Sequence, residues 1–372
     1  MRSRATNPRP AVVVHATRDQ PLGLAVEKFL ANYWLKRPLL IRGLGGSDFA
    51  SPITPDELAG LACEDLVEAH LHTAAGREQG PFAAERLRAL PEQGFALEVA
   101  EVDRFDRDVA AVLDRLAFLP RWRIRGVDVR FAATAAPAIT YSDPAGCLLL
   151  QAEGRSSLQV EEMPPAWQQI ELQVGDALYL PPEVAATAQS PEPGLCLCIG
   201  FAAASASELI EAFATQFAHD AHERYADPGL AARRDPTAVE AGDVLRLRHC
   251  LRGWLQLDDA ALARQFARFL STHGARHLPA PRPRPLSAAQ FEQRLARGAG
   301  VSRHPFLQPV SAPARRGRRV VALAGQEFET STRLAALLAR RELCAADLAP
   351  LDDAERADLL QWLNLGLIGF LS

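Results

Sequence analysis

The strongest constraint on this chain lies between residues 124 and 201, where short apolar segments recur with turn residues between them. Val127, Val129 and Phe131 alternate with Asp128 and Arg130, and Cys147-Leu148-Leu149-Leu150 is continuously apolar. Ile170, Leu172 and Val174 alternate with Gln169, Glu171 and Gln173, and Gly175-Asp176 supplies a turn before Ala177-Leu178-Tyr179-Leu180. A last strand is predicted over Leu195–Phe201. Several short strands separated by turns predict a sandwich or barrel.

Helical patterns flank this block. Leu24, Val26, Phe29 and Leu30 predict a helix within Pro21–Trp34, running into a strand at Leu39-Leu40-Ile41 after Pro38. Within Ser51–Leu71, Thr54-Pro55-Asp56-Glu57 has an N-cap, a proline at the first helical position and a capping-box glutamate. Beyond the strands, Ser205 with Glu208 forms another capping box, and Leu209, Ile210, Phe213 and Phe217 make one stripe. Helical stretches carry Leu245, Cys250, Leu251, Trp254 and Leu255, then Leu262, Phe266, Phe269 and Leu270. Pro279–Pro285 is proline-rich and reads as a stiff linker. A strand pair, Arg319–Leu323 and Gln326–Thr330, is joined by Ala324-Gly325 among further helices.

Bulk properties exclude several classes. With 41 basic against 45 acidic residues the net charge is -4, so no global basic field marks a dedicated nucleic-acid binder. No run reaches the roughly 18 apolar residues of a membrane span, and the stretch Ala11–Val14 is too short for a signal-peptide core. The six cysteines are scattered, with no CxxC pair, as in a cytoplasmic protein with reduced thiols.

Segments spread over most of the chain match one family in order. They include Tyr33-Trp34 with Lys36-Arg37-Pro38-Leu39, Ile53 to Ala59, Gly80-Pro81-Phe82 and Leu119-Pro120-Arg121-Trp122-Arg123-Ile124. Gln151 with Gly154-Arg155, Gly175 to Pro182, Ile199-Gly200-Phe201, Glu208-Leu209-Ile210 and Tyr225-Ala226-Asp227-Pro228 follow. The chain therefore resembles the JmjC-type cupin proteins of the bacterial ribosomal-oxygenase family, the ribosomal-protein arginine hydroxylases. The resemblance implies an α+β fold. Residues 1–203 would form a JmjC/cupin double-stranded β-helix with flanking helices, and 204–278 a helical dimerisation region. Residues 279–287 would be the Pro/Arg linker and 288–372 a winged-helix-like domain.

The family's chemistry is Fe(II)- and 2-oxoglutarate-dependent hydroxylation, with two His and one carboxylate on one face of the iron. Carried over by position, the His-x-Asp motif falls on Tyr141-Ser142-Asp143 and the distal His on Ala186. Only Asp143 keeps the family's residue type. None of the nine histidines lies between His72 and His219, so the expected barrel contains none. The family's oxoglutarate-binding Arg maps onto Ser156, beside Arg155, and polar residues of the last strand are replaced by Cys196 and Cys198. No intact catalytic set, no metal and no cofactor are then expected.

Each singled-out residue also has a plainer reading. Asp143 before Pro144 and Gly146 reads as a turn aspartate, and Tyr141 as a poor lone phenolate ligand. Cys147, Cys196 and Cys198 read as small core residues, and His219, His222 and Glu223 as a solvated helix face. Arg315-Arg316-Gly317-Arg318-Arg319 reads as a solvated loop, against a contact with nucleic-acid phosphates. The leading expectation is a non-catalytic, cytoplasmic, homodimeric scaffold that binds a protein or peptide of ribosomal origin. The alternatives are an active hydroxylase using non-standard ligands such as His70 or His72, and a nucleic-acid-associated protein using the tail.

Overall fold

The structure, a computed structural model, describes residues 12–17, 19–46, 49–161, 169–220, 241–242, 244–245, 247–248, 258–273, 277, 279–314 and 318–371. The chain divides into two compact units, residues 1–203 and 204–372.

The first unit carries thirteen strands: β1 Val13–His15, β2 Leu39–Arg42, β3 Ala69–Thr73, β4 Gly76–Gln79, β5 Phe95–Val99, β6 Ile124–Ala132, β7 Ile139–Tyr141, β8 Cys147–Glu153, β9 Ser156–Val160, β10 Ile170–Leu172, β11 Ala177–Leu180, β12 Ala186–Gln189 and β13 Gly194–Phe201. They form a nine-stranded sheet, β1-β2-β11-β8-β13-β6-β5-β3-β4, and a four-stranded sheet, β10-β9-β12-β7. Every pairing is antiparallel except β1 with β2.

The continuous apolar run in β8 has a direct cause. Successive side chains point to opposite faces. Leu148 and Leu150 join the core that the flanking helices cover, with Leu39, Ile41, Val127, Val129, Leu195 and Leu197. Cys147 and Leu149 join a second core between the sheets, with Leu158, Leu172, Leu178, Leu180 and Ala186. A strand covered on both faces needs no polar alternation.

The Gly175-Asp176 turn is held by its aspartate. Asp176 accepts from the Gly43 and Gln173 amides and pairs with Arg42, while Gly175 takes φ +85°. Behind β11, Trp34 stacks on Tyr179 and meets Phe201 edge-on, and Tyr179 Oη accepts from the Leu35 amide.

The helix expected within Pro21–Trp34 begins only at Val26. Gly23 adopts φ +70° and passes so near His15 that a Cβ would lie 2.9 Å from its backbone, so residues before it form turns. The helix capped by Thr54 carries the full capping box but ends at Leu61, and Ala69–Thr73 is strand instead. Val174 lies in the turn, half exposed, because β10 stops at Leu172.

In the second unit, Ser205 and Glu208 exchange both capping bonds at the start of the helix Ala206–Asp220. Ile210 on that helix and Leu262 on the helix Asp259–Leu270 are 56% and 43% exposed. The Cys250–Leu255 pattern, with Trp254, and the residues His222, Glu223, Tyr225–Pro228 and Arg315–Gly317 lie outside the described residues. Ala324 and Gly325, at φ +48° and +80°, form the hairpin turn between Arg318–Leu323 and Gln326–Ser331. Leu334, Leu359, Trp362 and Leu363 centre this unit's core, so the apolar tail packs inward. The Pro279–Pro285 stretch is held against this unit rather than hanging free. The Arg282 amide donates to the Asn364 carbonyl, and the Asn364 side chain bonds both backbone groups of Leu286. No helix among the described residues is long and apolar enough to cross a membrane.

Candidate functional site

A cleft of about 170 Å³ opens between β5, β6, β7, β8 and β13, lined by Glu98, Arg125, Asp128, Arg130, Tyr141, Asp143, Cys147 and Cys198. Four of the positions singled out in the sequence, Tyr141, Asp143, Cys147 and Cys198, line it. Tyr141 closes β7 directly opposite Ala186, the first residue of β12. Burial drives the Tyr141 hydroxyl well above its ordinary pKa of 10, with the Cys196 thiol adding to the effect. It is therefore a neutral phenol at physiological pH. Ala186 is fully buried and offers no lone pair.

Asp143 is occupied. Its Oδ1 accepts from the Ala145 amide at 2.8 Å, closing a turn, and its Oδ2 accepts from Arg125 at 3.0 Å. Arg125 also pairs with Asp128 at 3.2 Å and so bridges the two carboxylates. Gly200 makes that bridge possible, because a Cβ there would sit 2.4 Å from the Arg125 guanidinium. Burial pushes the Asp128 carboxyl up to about 6, against the pull of Arg125 and a hydrogen bond from the Glu101 amide.

Ser156 begins β9, opposite Leu172 of β10, and is buried, whereas Arg155 pairs with Glu192 at the surface. Cys196 and Cys198 share the inner face of β13. Burial raises the Cys196 thiol to about 12. A hydrogen bond with Cys147, together with burial, raises Cys198 well above 9. Such thiols stay protonated and are poor nucleophiles or metal ligands. The five described cysteines are unbridged.

Sequence reasoning missed the charged wall of this cleft. Asp128 and Arg130 alternate with valines, a pattern that ordinarily marks a solvated face. Here both faces of β6 are covered, and Arg130 is only 6% exposed. The signal lay in the register with β13, which sets Cys198 against Asp128 and Cys196 against Arg130. Residues facing Cys196 and Cys198 necessarily share their side of the sheet. The row continues to Glu98 on β5 and His70 on β3. His72 bonds Glu98 at 3.2 Å, and burial lowers both histidines below their ordinary value. His72 therefore reaches the cleft only through Glu98, and neither histidine lines it. Among the described residues no three His, Cys, Asp or Glu side chains group to hold a metal ion.

No family model matches the chain. It is 30% identical over 246 residues to "Ribosomal protein uL16 3-hydroxylase" of Escherichia coli, covering 60% of this chain and 65% of that protein. It is 22% identical over 223 residues to "Probable ribosomal oxygenase" of Haemophilus influenzae, covering 54% of this chain and 55% of that one. The matches thus span under two thirds of these curated relatives. The solved ribosomal oxygenase YcfD from Escherichia coli, in complex with cobalt and succinic acid, superposes with a TM-score of 0.79 at 27% identity. That match covers 94% of this chain and 99% of the solved one, and the complex with cobalt and 2-oxoglutarate gives 0.77 at 25%.

Those two complexes overturn the expectation that no cofactor accompanies this barrel, since a protein of the same fold carries cobalt with succinic acid or with 2-oxoglutarate. The side chains at the positions carried over here are a neutral phenol, an arginine-bound carboxylate and an alanine. They do not fit the two-His, one-carboxylate arrangement. The two-sheet barrel and its flanking helices give the chain the JmjC-type cupin fold of the solved ribosomal oxygenase, and its sequence is similar to those of bacterial ribosomal oxygenases.

Proposed function

We propose that this chain binds a ribosomal protein at the cleft of its barrel and does not hydroxylate it. The observation that carries this reading is the Tyr141–Ala186 pair, set face to face where the family's two imidazoles are carried over. The similarity to the ribosomal protein uL16 3-hydroxylase of Escherichia coli supports the choice of partner.

The test incubates the protein with the organism's own uL16, Fe(II) and 2-oxoglutarate, and follows complex formation and the mass of uL16. Complex formation without added oxygen is the expected outcome. Oxygen incorporation coupled to succinate release would overturn it. A second reading, an active oxygenase holding its metal with other donors, is favoured by the cobalt and 2-oxoglutarate complex of the solved relative. The same assay decides between the two.

The register sharpens the test. Directly opposed residues place their Cβ atoms about 4.5–5.5 Å apart, near enough for two imidazoles to share one ion. Tyr141→His combined with Ala186→His is expected to gain Co(II) affinity over the parent chain, read by calorimetry. No gain in a folded double variant would rule out these positions as the metal face.

A further inference from the structure

Arg130 is a buried cation that forms no ion pair among the described residues. It lies in the middle of β6, between Glu98 of β5 and Cys196 of β13. Its one hydrogen bond among the described residues runs from a terminal guanidinium nitrogen to the Pro137 carbonyl at 2.7 Å. Its Nε is buried and has no partner. The carboxylates of the same cleft are engaged elsewhere: Glu98 with His72, and Asp128 and Asp143 with Arg125. A guanidinium withdrawn from water without an ion-pair partner in hydrogen-bond contact is unfavourable, and a carboxylate that accepts two parallel N–H bonds is its best complement. The cleft that Arg130 lines has room for such a group.

We propose that Arg130 is the anchor of a carboxylate-binding site, taking either a small free acid or an acidic side chain presented by a protein. The site stands on β6, apart from Ser156 on β9, where the resemblance places the family's own cation. It does not depend on the docking of a ribosomal protein. The acidic neighbours Glu98, Asp128 and Asp143 favour a ligand that brings a single negative charge, since a second carboxylate would face them.

Two probes separate the sources: propionate for a free acid, and N-acetylglutamate amide, whose only carboxylate is a side chain. Binding to the full chain is read by saturation-transfer NMR and by the rise in melting temperature. At least one probe is expected to bind, and Arg130→Met should weaken that binding at least about tenfold, as expected for losing a charge-assisted pair. Without ligand, Arg130→Met should melt above the parent chain, because the unmatched charge is gone. If Arg130→Met fails to fold, Arg130→Lys replaces it. That variant keeps the charge but loses the planar fork, and should weaken the probe several-fold. Binding of propionate alone assigns a free acid, and binding of the glutamate probe alone assigns a side chain. Failure of both probes to bind, or equal binding by parent and variant, would overturn the proposal.

Discussion

Two carboxylates, one in each unit, are handled in opposite ways. Glu355, in the helix Asp353–Asn364, is 3% exposed, and every direction around its carboxylate is filled. Arg333 donates to both oxygens, Ser331 Oγ donates to one, and the Asp352 amide completes a capping box on the other. The hydrogen bonds from Arg333 lead in holding its carboxyl down at about 2. Asp128, in the cleft of the first unit, is pushed the other way, to about 6, because burial outweighs Arg125. Its neighbour Arg130 has only a carbonyl. A carboxylate that serves the fold is supplied with all its donors, whereas groups that serve a ligand are left partly unmatched.

The largest break in this contrast should come from Glu355→Ala. It removes the capping box and leaves Ser331 and Arg333 without their acceptor, so the second unit should lose about 2 kcal/mol in urea titration followed by Trp362. A loss no larger than that of a surface substitution would refute the structural role.

The pH dependence should carry opposite signs at the two sites. The folded pKa of Glu355 lies below its ordinary value, so its stabilisation is present above about pH 4.5 and is lost as pH falls towards 2. The folded pKa of Asp128 lies above its ordinary 3.8, so its contribution is full below that value and fades as pH rises through about 6. Asp128→Asn should flatten the stability profile of the first unit between about pH 4 and 6. Arg125→Gln should raise the Asp128 midpoint further, as read by carbon NMR of the carboxyl. An Asp128 midpoint near 4 in the parent chain would show that water reaches it freely. The smallest effect is expected from Arg155→Ala. Its pairing with Glu192 at 3.5 Å is half exposed on both sides, and the change in stability should stay within about 0.5 kcal/mol.

Where a residue's neighbours lie close in sequence, its role was legible. The Thr54 and Ser205 boxes, the Ala324-Gly325 turn and the alternation of β6 and β10 are all local signals, and the structure contains each. The strands β3, β4 and β5 were not legible. His70, His72 and Glu98 lie on them, but these strands are only four or five residues long, too short to stand out from their surroundings, and long-range pairing makes them strands. The resemblance located Tyr141, Asp143 and Ala186, and the structure sets the first and last of them opposite each other. It could not show Arg125 bridging two aspartates through the gap at Gly200, or Arg130 stranded beside Cys196. Those depend on which strand lies next to which, information that no window of consecutive residues contains.

Asn364 also decides where this chain should be cut. Its backbone and side chain buckle the proline-rich stretch onto the second unit at Arg282 and Leu286, and Gly366 has no side chain because Ala280 lies where a Cβ would go, 2.0 Å from the Ala280 carbonyl. What looks in the sequence like spare rope between two bodies lies inside the second one. A C-terminal fragment beginning at Ser287 would leave its buckle open, while one beginning at Pro279 keeps it fastened.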